Sequence, residues 1–350
     1  MRRITLALLL AGVAAAARPA AAQAPEALWY STDAEASVQS FLANADRISI
    51  VAPQSFSMDS VGIIWGRVDA RVLATARAKG VKVVPLIVNP GFDQGIFHHV
   101  LNNADARRRA VRNITALCRD NRFDGIQFDF ENISILDRDA FTAFSREVAD
   151  SLHRVKCTLS AAVVPRSSDY PGPTSYHKWI FDNWRAAYDY KALSDAMDFI
   201  SVMTYSQHTR RTPPGPVASY EWMERVIKYV LAQGVPASKL SLGLASYSEY
   251  WYPTYDAAGG PRSSGTGLAY SAAMGILTEN GVTPTWDDRT KEAFAFWEND
   301  GINEFLFLED ARSFTARLPL ISQYKLRGYS VWVLGQEDPK VWTTLPAVAK

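Results

Sequence analysis

Along most of the chain, short runs rich in β-branched and aromatic residues alternate with amphipathic stretches of helical period. "ALWYST" predicts a first strand, and "DAEASVQSFLANA" the helix that follows it. "RISIVAPQSF" predicts a second strand, and "RVDARVLATARAKG" a helix that stops at Gly80. "VKVVPLIVN" and "ADARRRAVRNITALCRDNR" form the third pair, and "GIQFDFE" and "LDRDAFTAFSREVADSLHRVK" the fourth. "TLSAAVVP" and "YKALSDAMD" follow, then "FISVMTYSQH" and "SYEWMERVIKYVLAQG". "LSLGLASYSEYW" and "FTARLPLISQYKLRG" make the seventh unit, and "YSVWVLG" with the short helix "PKVWTTLPAVAK" the eighth. Eight strand–helix units are what an α/β protein of the (β/α)8 TIM barrel type requires. A doubly wound open sheet shares the alternation, but the count of eight and the length favour the barrel.

Two segments break the alternation. Residues 166–187 form a long loop after the fifth strand. Residues 252–309 follow the seventh and contain "EAFAFWENDGINEFLFLED", a hairpin pattern with Asn299, Asp300 and Gly301 at its turn. Both follow a strand, which puts them on the face where barrel active sites form.

The length of 350 residues suits one large barrel domain, expected to span residues 25–350. At the start, Arg2 and Arg3 precede an apolar stretch from Ile4 to Ala17 and then small residues. That stretch is shorter than the roughly 20 residues of a membrane span and has the form of a secretory signal, expected over residues 1–24. The mature chain is then expected to be exported, to the periplasm or the medium, as a monomer with no membrane span. A net charge of +1 gives no reason to expect nucleic acid as a partner. The two cysteines, Cys118 and Cys157, are too few for a disulfide scaffold or a four-ligand zinc site. Both fall at the N-terminal face of neighbouring units, so a disulfide between them is geometrically allowed. The five histidines show no ligand spacing, and neither a metal nor a cofactor is expected.

The chemistry lies on the fourth strand. Side chains alternate, so Gln127, Asp129 and Glu131 share one face and Ile126, Phe128 and Phe130 the other. The apolar set belongs under the helices and the polar set points into the barrel. Two carboxyls at i and i+2 in a poorly solvated place cannot both ionise easily, so one keeps a proton near neutral pH. Glu131 is the longer and lies nearer the rim, which makes it the better proton donor, with Asp129 as its deeper partner. A buried acidic cluster serving stability alone, or a metal site, are the competing readings. No histidine lies on this strand, and a structural acidic cluster costs desolvation without return.

"FDGIQFDFE" resembles the signature Asp-Gly-x-Asp-x-Asp-x-Glu of glycoside hydrolase family 18, the chitinase-like enzymes, carried on the fourth strand of a (β/α)8 barrel. Asp124, Asp129 and Glu131 match it, and Gln127 departs from it. An amide there, and "DFEN", resemble the spore-cortex-lytic and peptidoglycan-active branch. "VMTYSQH" and "GYSVWVLGQEDPKVW" resemble the family's sixth- and eighth-strand segments, so the likeness covers most of the chain after residue 24.

The resemblance implies Glu131 as general acid and then base. It implies that Asp129 orients the substrate's N-acetyl group and that Tyr205 hydrogen-bonds it. Met203 would line the pocket, Trp332 would be its apolar floor, and Asp124 would be structural. Ser206 stands where the family has Asp, which leaves that contact in question. The implied substrate is a polysaccharide with N-acetylglucosamine, peptidoglycan or chitin-like, cleaved with retention by its own acetamido group. A glycan-binding protein without turnover on the same barrel is the rival reading.

Gln127 is grouped with Met203, Trp332 and Tyr247 as substrate-binding, and is expected either to donate a hydrogen bond to Asp129 or simply to fill the barrel interior. Aromatics near strand ends and in the insertions could line a glycan cleft: Trp29, Tyr30, Tyr247, Tyr250, Trp251, Tyr252 and Trp286. Tyr247 is the best placed of them, near the rim of strand seven. "DNWRAAYDY" in the fifth loop could supply a cleft wall.

Overall fold

A computed structural model describes residues 25–348. The signal expected at residues 1–24 lies outside the described residues. Eight strands form the barrel: β1 (Glu26–Ser31), β2 (Ile50–Met58), β3 (Leu86–Val88), β4 (Gly125–Asp129), β5 (Thr158–Val163), β6 (Phe199–Val202), β7 (Leu240–Ala245) and β8 (Gly328–Trp332). Each pairs in parallel with the next, and β8 pairs with β1, so the sheet closes on itself as a (β/α)8 barrel. Closure removes both sheet edges.

The alternation sorts the side chains into two cores. Leu28, Tyr30, Ile50, Ala52, Leu86 and Phe199 pack together inside the barrel. A larger apolar cluster lies between the strands and the helices, with Ile126, Phe128 and Phe130 of the fourth-strand segment in it. There Phe128 stacks on Phe144 at 5.7 Å and Phe130 on Phe97 at 4.1 Å between ring centroids.

The strands are shorter than the apolar runs suggest, each for a local reason. Pro85 splits "VKVVPLIVN" into Lys82–Val83 and β3, because it has no N–H to donate. Its carbonyl still accepts from the Gln127 N–H at 3.0 Å. β6 stops at Val202, and the chain then coils tightly, with Tyr205 N–H bonded to the Met203 carbonyl at 2.7 Å and Ser206 at φ 55°.

The stretch "LSLGLASYSEYW" is not one strand. Ser246 ends it by exchanging hydrogen bonds with β8: its N–H donates to the Trp332 carbonyl at 2.8 Å, and its hydroxyl accepts from the Val333 N–H at 2.7 Å. The chain then enters a second, antiparallel sheet through Ser248–Tyr255. That sheet also holds Pro261–Leu268, Thr285–Asp287, Glu292–Asn299 and Ile302–Leu308, with the helix Tyr270–Glu279 between its second and third strands. Its last two strands join through Asp300 and Gly301, both at positive φ as a two-residue hairpin turn requires.

After β5 the excursion is partly helical, Ser175–Ile180 running into a wider turn at Phe181–Arg185. A helix at Gln94–Asn102 after β3 has no counterpart in the sequence reading. Cys118 and Cys157 are joined as a disulfide, their Cα atoms 6.6 Å apart. Among the described residues, no helix is long and apolar enough to cross a membrane.

Candidate active site

β4 brings its polar face into the barrel in ascending order. At its base the Asp124 carboxylate accepts the Val83 N–H at 2.8 Å, stitching the strand's entry to its neighbour. One step up, Gln127 is fully buried. Its amide donates to the Ser160 hydroxyl at 3.0 Å and the Ser201 hydroxyl at 3.5 Å, and Ser201 is bonded in turn to Ser330 at 2.8 Å. Gln127 is thus part of a polar floor laid across the barrel and lines neither of the hollows described below. The expected bond from Gln127 to Asp129 is not formed. Gln54 on β2 makes it instead, its amide donating to Asp129 at 3.3 Å. The register slips just after Gln54, between it and Phe56, an irregularity of the kind that re-aims side chains beside active sites.

Glu131 sits one residue beyond Phe130, where the chain has left the strand, and it is partly exposed. Asn89, at the end of β3, holds it from both sides of its own peptide. The Asn89 amide oxygen accepts the Glu131 N–H at 3.1 Å, and its nitrogen donates to the Glu131 carbonyl at 2.9 Å. The buried Tyr188 hydroxyl adds a bond to the Phe130 carbonyl at 2.7 Å. The backbone of the acid is therefore fixed while its side chain stays free for chemistry.

Both carboxyls are shifted upward. Burial raises Asp129, and the Gln54 amide opposes the shift. Burial also raises Glu131, and the neighbouring Asp129 charge raises it further. The donor aimed at Asp129 favours its anion, so the shared proton resides on Glu131.

Two hollows meet at Glu131. One, of about 340 Å³, is lined by Tyr30, Gln54, Asp129, Tyr247 and Trp332 among others; the other, of about 210 Å³, by Arg166, Arg185, Gln207 and Trp222 among others. Glu131, Met203, Tyr205 and Ser206 belong to both. The structure thus brings Glu131, Asp129, Tyr205, Met203, Trp332 and Tyr247 into one groove, with Asp124 and Gln127 beneath it. The Ser206 hydroxyl and the Tyr247 hydroxyl are bonded at 2.6 Å, tying the rim of β6 to that of β7. Trp332 lies 5.6 Å from the Tyr30 ring. Of the other aromatics, Trp29 packs in the core against Trp342, and Trp251 is buried in the second sheet. Among the described residues, no group of three or more His, Cys, Asp or Glu is placed to hold a metal ion.

The profile of the glycosyl hydrolases family 18 matches residues 31–337. The chain belongs to glycosyl hydrolase family 18, a family of glycosidases. It is 30% identical over 264 residues to the cortical fragment-lytic enzyme of Bacillus subtilis (strain 168), a match covering 75% of this chain and 58% of that protein. The chain thus spans little more than half the length of that relative. By fold it is similar to the spore cortex-lytic enzyme SleL of Bacillus megaterium QM B1551, with TM-score 0.80 and 23% identity over 93% of this chain and 74% of that one. It is also similar to a chitinase from Chromobacterium violaceum ATCC 12472, with TM-score 0.81 and 25% identity over 92% and 98%.

Sequence reasoning missed Gln54, Asn89 and Tyr188. The first two carry a signal: each is an amide side chain at the C-terminal part of a strand run, where barrel sites gather. Tyr188 sits in an irregular segment and gives none.

Proposed function

We propose that this chain hydrolyses glycans containing N-acetylglucosamine, peptidoglycan in the first place, with retention and with the substrate's acetamido group as nucleophile. One observation carries the reading: a single carboxylic acid, Glu131, stands where two hollows meet, with Asp129 as the only other carboxyl lining either hollow among the described residues. Asp129 is buried and engaged by Gln54, so it is suited to stabilise charge rather than to attack. Glu131 gives its proton to the oxygen that leaves as the acetamido oxygen closes on the anomeric carbon. The ring that forms is positively charged and lies near the Asp129 anion. Water then opens it, with Glu131 as base.

Tyr205 supplies a hydrogen bond to the acetamido group, and Trp332 an apolar floor. Likeness to a cortical fragment-lytic enzyme supports a peptidoglycan substrate, and likeness to a chitinase supports the N-acetylglucosamine requirement. The leader pattern of residues 1–24 and the Cys118–Cys157 bond support export to an oxidising compartment.

The test is a panel of peptidoglycan, chitin oligomers and N-glycans offered to wild type and Glu131→Gln, with products identified by mass and anomer by NMR. Release of β-anomeric N-acetylglucosamine ends from peptidoglycan by wild type alone is the expected result. Binding without release by wild type would make the chain a glycan-binding protein. Release from chitin alone would make it a chitinase.

A further inference from the structure

The smaller hollow poses a problem of charge. It shares Glu131 with the larger hollow, and Trp332 and Asp129 line only that larger one. The acid must reach the oxygen joining two sugars. If the N-acetyl sugar that is attacked rests on Trp332, the departing sugar rests in the smaller hollow. Two arginines line that hollow, and Glu131 is its only carboxyl among the described residues.

The two guanidinium groups are held differently. Arg166 is buried and held by the fold: it donates to the carbonyls of Arg185 and Tyr188 at 2.8 Å each and to the Tyr229 hydroxyl at 3.3 Å. It also lies 4.6 Å over the Tyr190 ring, and the exposed Asp169 stands 3.4 Å from it as a counter-ion. Arg185 has its backbone pinned by that same Arg166, but among the described residues its own side chain meets no carboxylate. Arg185 as a residue is exposed to solvent, and partial desolvation of its guanidinium lowers its pKa, with the Tyr190 hydroxyl as the one opposing influence. Neither arginine pairs with Glu131, and neither contributes to the shift of that acid. The Arg185 charge is therefore left without a carboxylate partner among the described residues, and neither arginine takes part in tuning the acid.

We infer that the smaller hollow receives a carboxylate carried by the departing sugar, paired with the Arg185 guanidinium. The planar fork of Arg185 matches a carboxylate with two parallel hydrogen bonds, which an ammonium would not reproduce. Arg166 behind it holds the loop in place and adds positive charge. This inference rests on the proposed glycosidase reading and narrows its substrate. In peptidoglycan freed of its stem peptides every second sugar carries a free lactyl carboxylate, whereas a stem-bearing lactyl group is a neutral amide and the sugars of chitin are neutral. Arg185 would be the residue by which the chain favours stem-free strands over both.

The experiment compares matched substrates. One is peptidoglycan strands stripped of peptide, with free lactyl carboxylates; the other is the same strands with those groups amidated. The readout is the ratio of kcat/KM for the acidic over the neutral strands, in wild type, Arg185→Gln and Arg185→Lys. The expected ratio in wild type is well above one. It falls about tenfold or more in Arg185→Gln, the scale of a charge-assisted hydrogen bond, and recovers only in part with Lys. It also falls with rising salt in wild type and not in Arg185→Gln. An equal ratio in wild type and Arg185→Gln would overturn the inference while leaving the glycosidase reading intact. No turnover of any strand or chitin oligomer by wild type would instead overturn the glycosidase reading. The same ratio read as binding in the Glu131→Gln background would then still decide for or against Arg185.

Discussion

Glu131 owes part of its proton affinity to the like charge of Asp129, and the amide of Gln54 opposes the burial that raises Asp129. The pH dependence of kcat/KM should therefore be bell-shaped, with both limbs displaced upward from the ordinary carboxylate range. It rises as Asp129 ionises and falls as Glu131 loses its proton. Asp129→Asn removes the charge that raises Glu131, so the basic limb should move to lower pH. The rate should fall by about 100-fold or more with the loss of stabilisation for the cationic intermediate. Gln54→Ala removes a donor that favours the Asp129 anion, so the acidic limb should move to higher pH. Gln127→Ala should leave both limbs in place, since its amide serves Ser160 and Ser201. It should instead lower the unfolding free energy by about 1–3 kcal/mol, the cost of leaving buried groups unpaired. A pH–rate profile beside a urea melt separates the three variants, and a displaced limb in Gln127→Ala would return that residue to the brace role.

A strand exposes its face to sequence reading but hides its neighbours. β4 was legible because "GIQFDFE" alternates cleanly and both faces are fully committed, one to Phe128 and Phe130 packing, the other to Asp129. The partner of Gln127 was not legible. Residues i and i+2 on one face are roughly 6.5–7 Å apart along the strand, while the neighbouring strand lies only about 4.8 Å away. Ser160 is the direct cross-strand neighbour of Gln127 in the barrel register, so it wins the amide. The end of β7 was hidden for a similar reason: the bonds that end it run from Ser246 to the β8 segment, far along the chain. Asn89 is the sharpest instance, a residue just past β3 that holds the backbone of Glu131 from both sides. Asn89→Ala should loosen the acid without touching the sugar contacts. A fall in kcat of roughly tenfold, with KM changed less than about threefold, is expected from steady-state kinetics on a soluble oligomer. A rise in KM alone would assign Asn89 to substrate binding.

At the scale of the molecule, the two ends of the barrel carry opposite obligations. The N-terminal end holds the disulfide, which joins the helix Ala104–Asn121 at Cys118 to Cys157, just before β5, across 39 residues of chain. In the chain-entropy account a loop of that size contributes about 4 kcal/mol. Reduction, or Cys118→Ala with Cys157→Ala, should lower the denaturant midpoint accordingly and leave kcat/KM at 25 °C unchanged. The C-terminal end works against stability. Burial raises Glu131 in the folded state, so the fold binds its proton more tightly than the unfolded chain does. By linkage, the stability this group contributes is full below its unfolded pKa, near pH 4. It is lost as pH rises through the raised folded pKa, where the unfolded chain ionises freely and the fold resists. Glu131→Gln keeps the shape and removes the titration. Its melting temperature should match wild type near pH 4 and exceed it by a few degrees near pH 9, the gap opening across the interval between the two pKa values. A scan of melting temperature against pH for the two proteins measures it directly. Parallel curves at all pH values would mean that Glu131 is solvated well enough to ionise normally, and would remove the physical basis for its service as an acid.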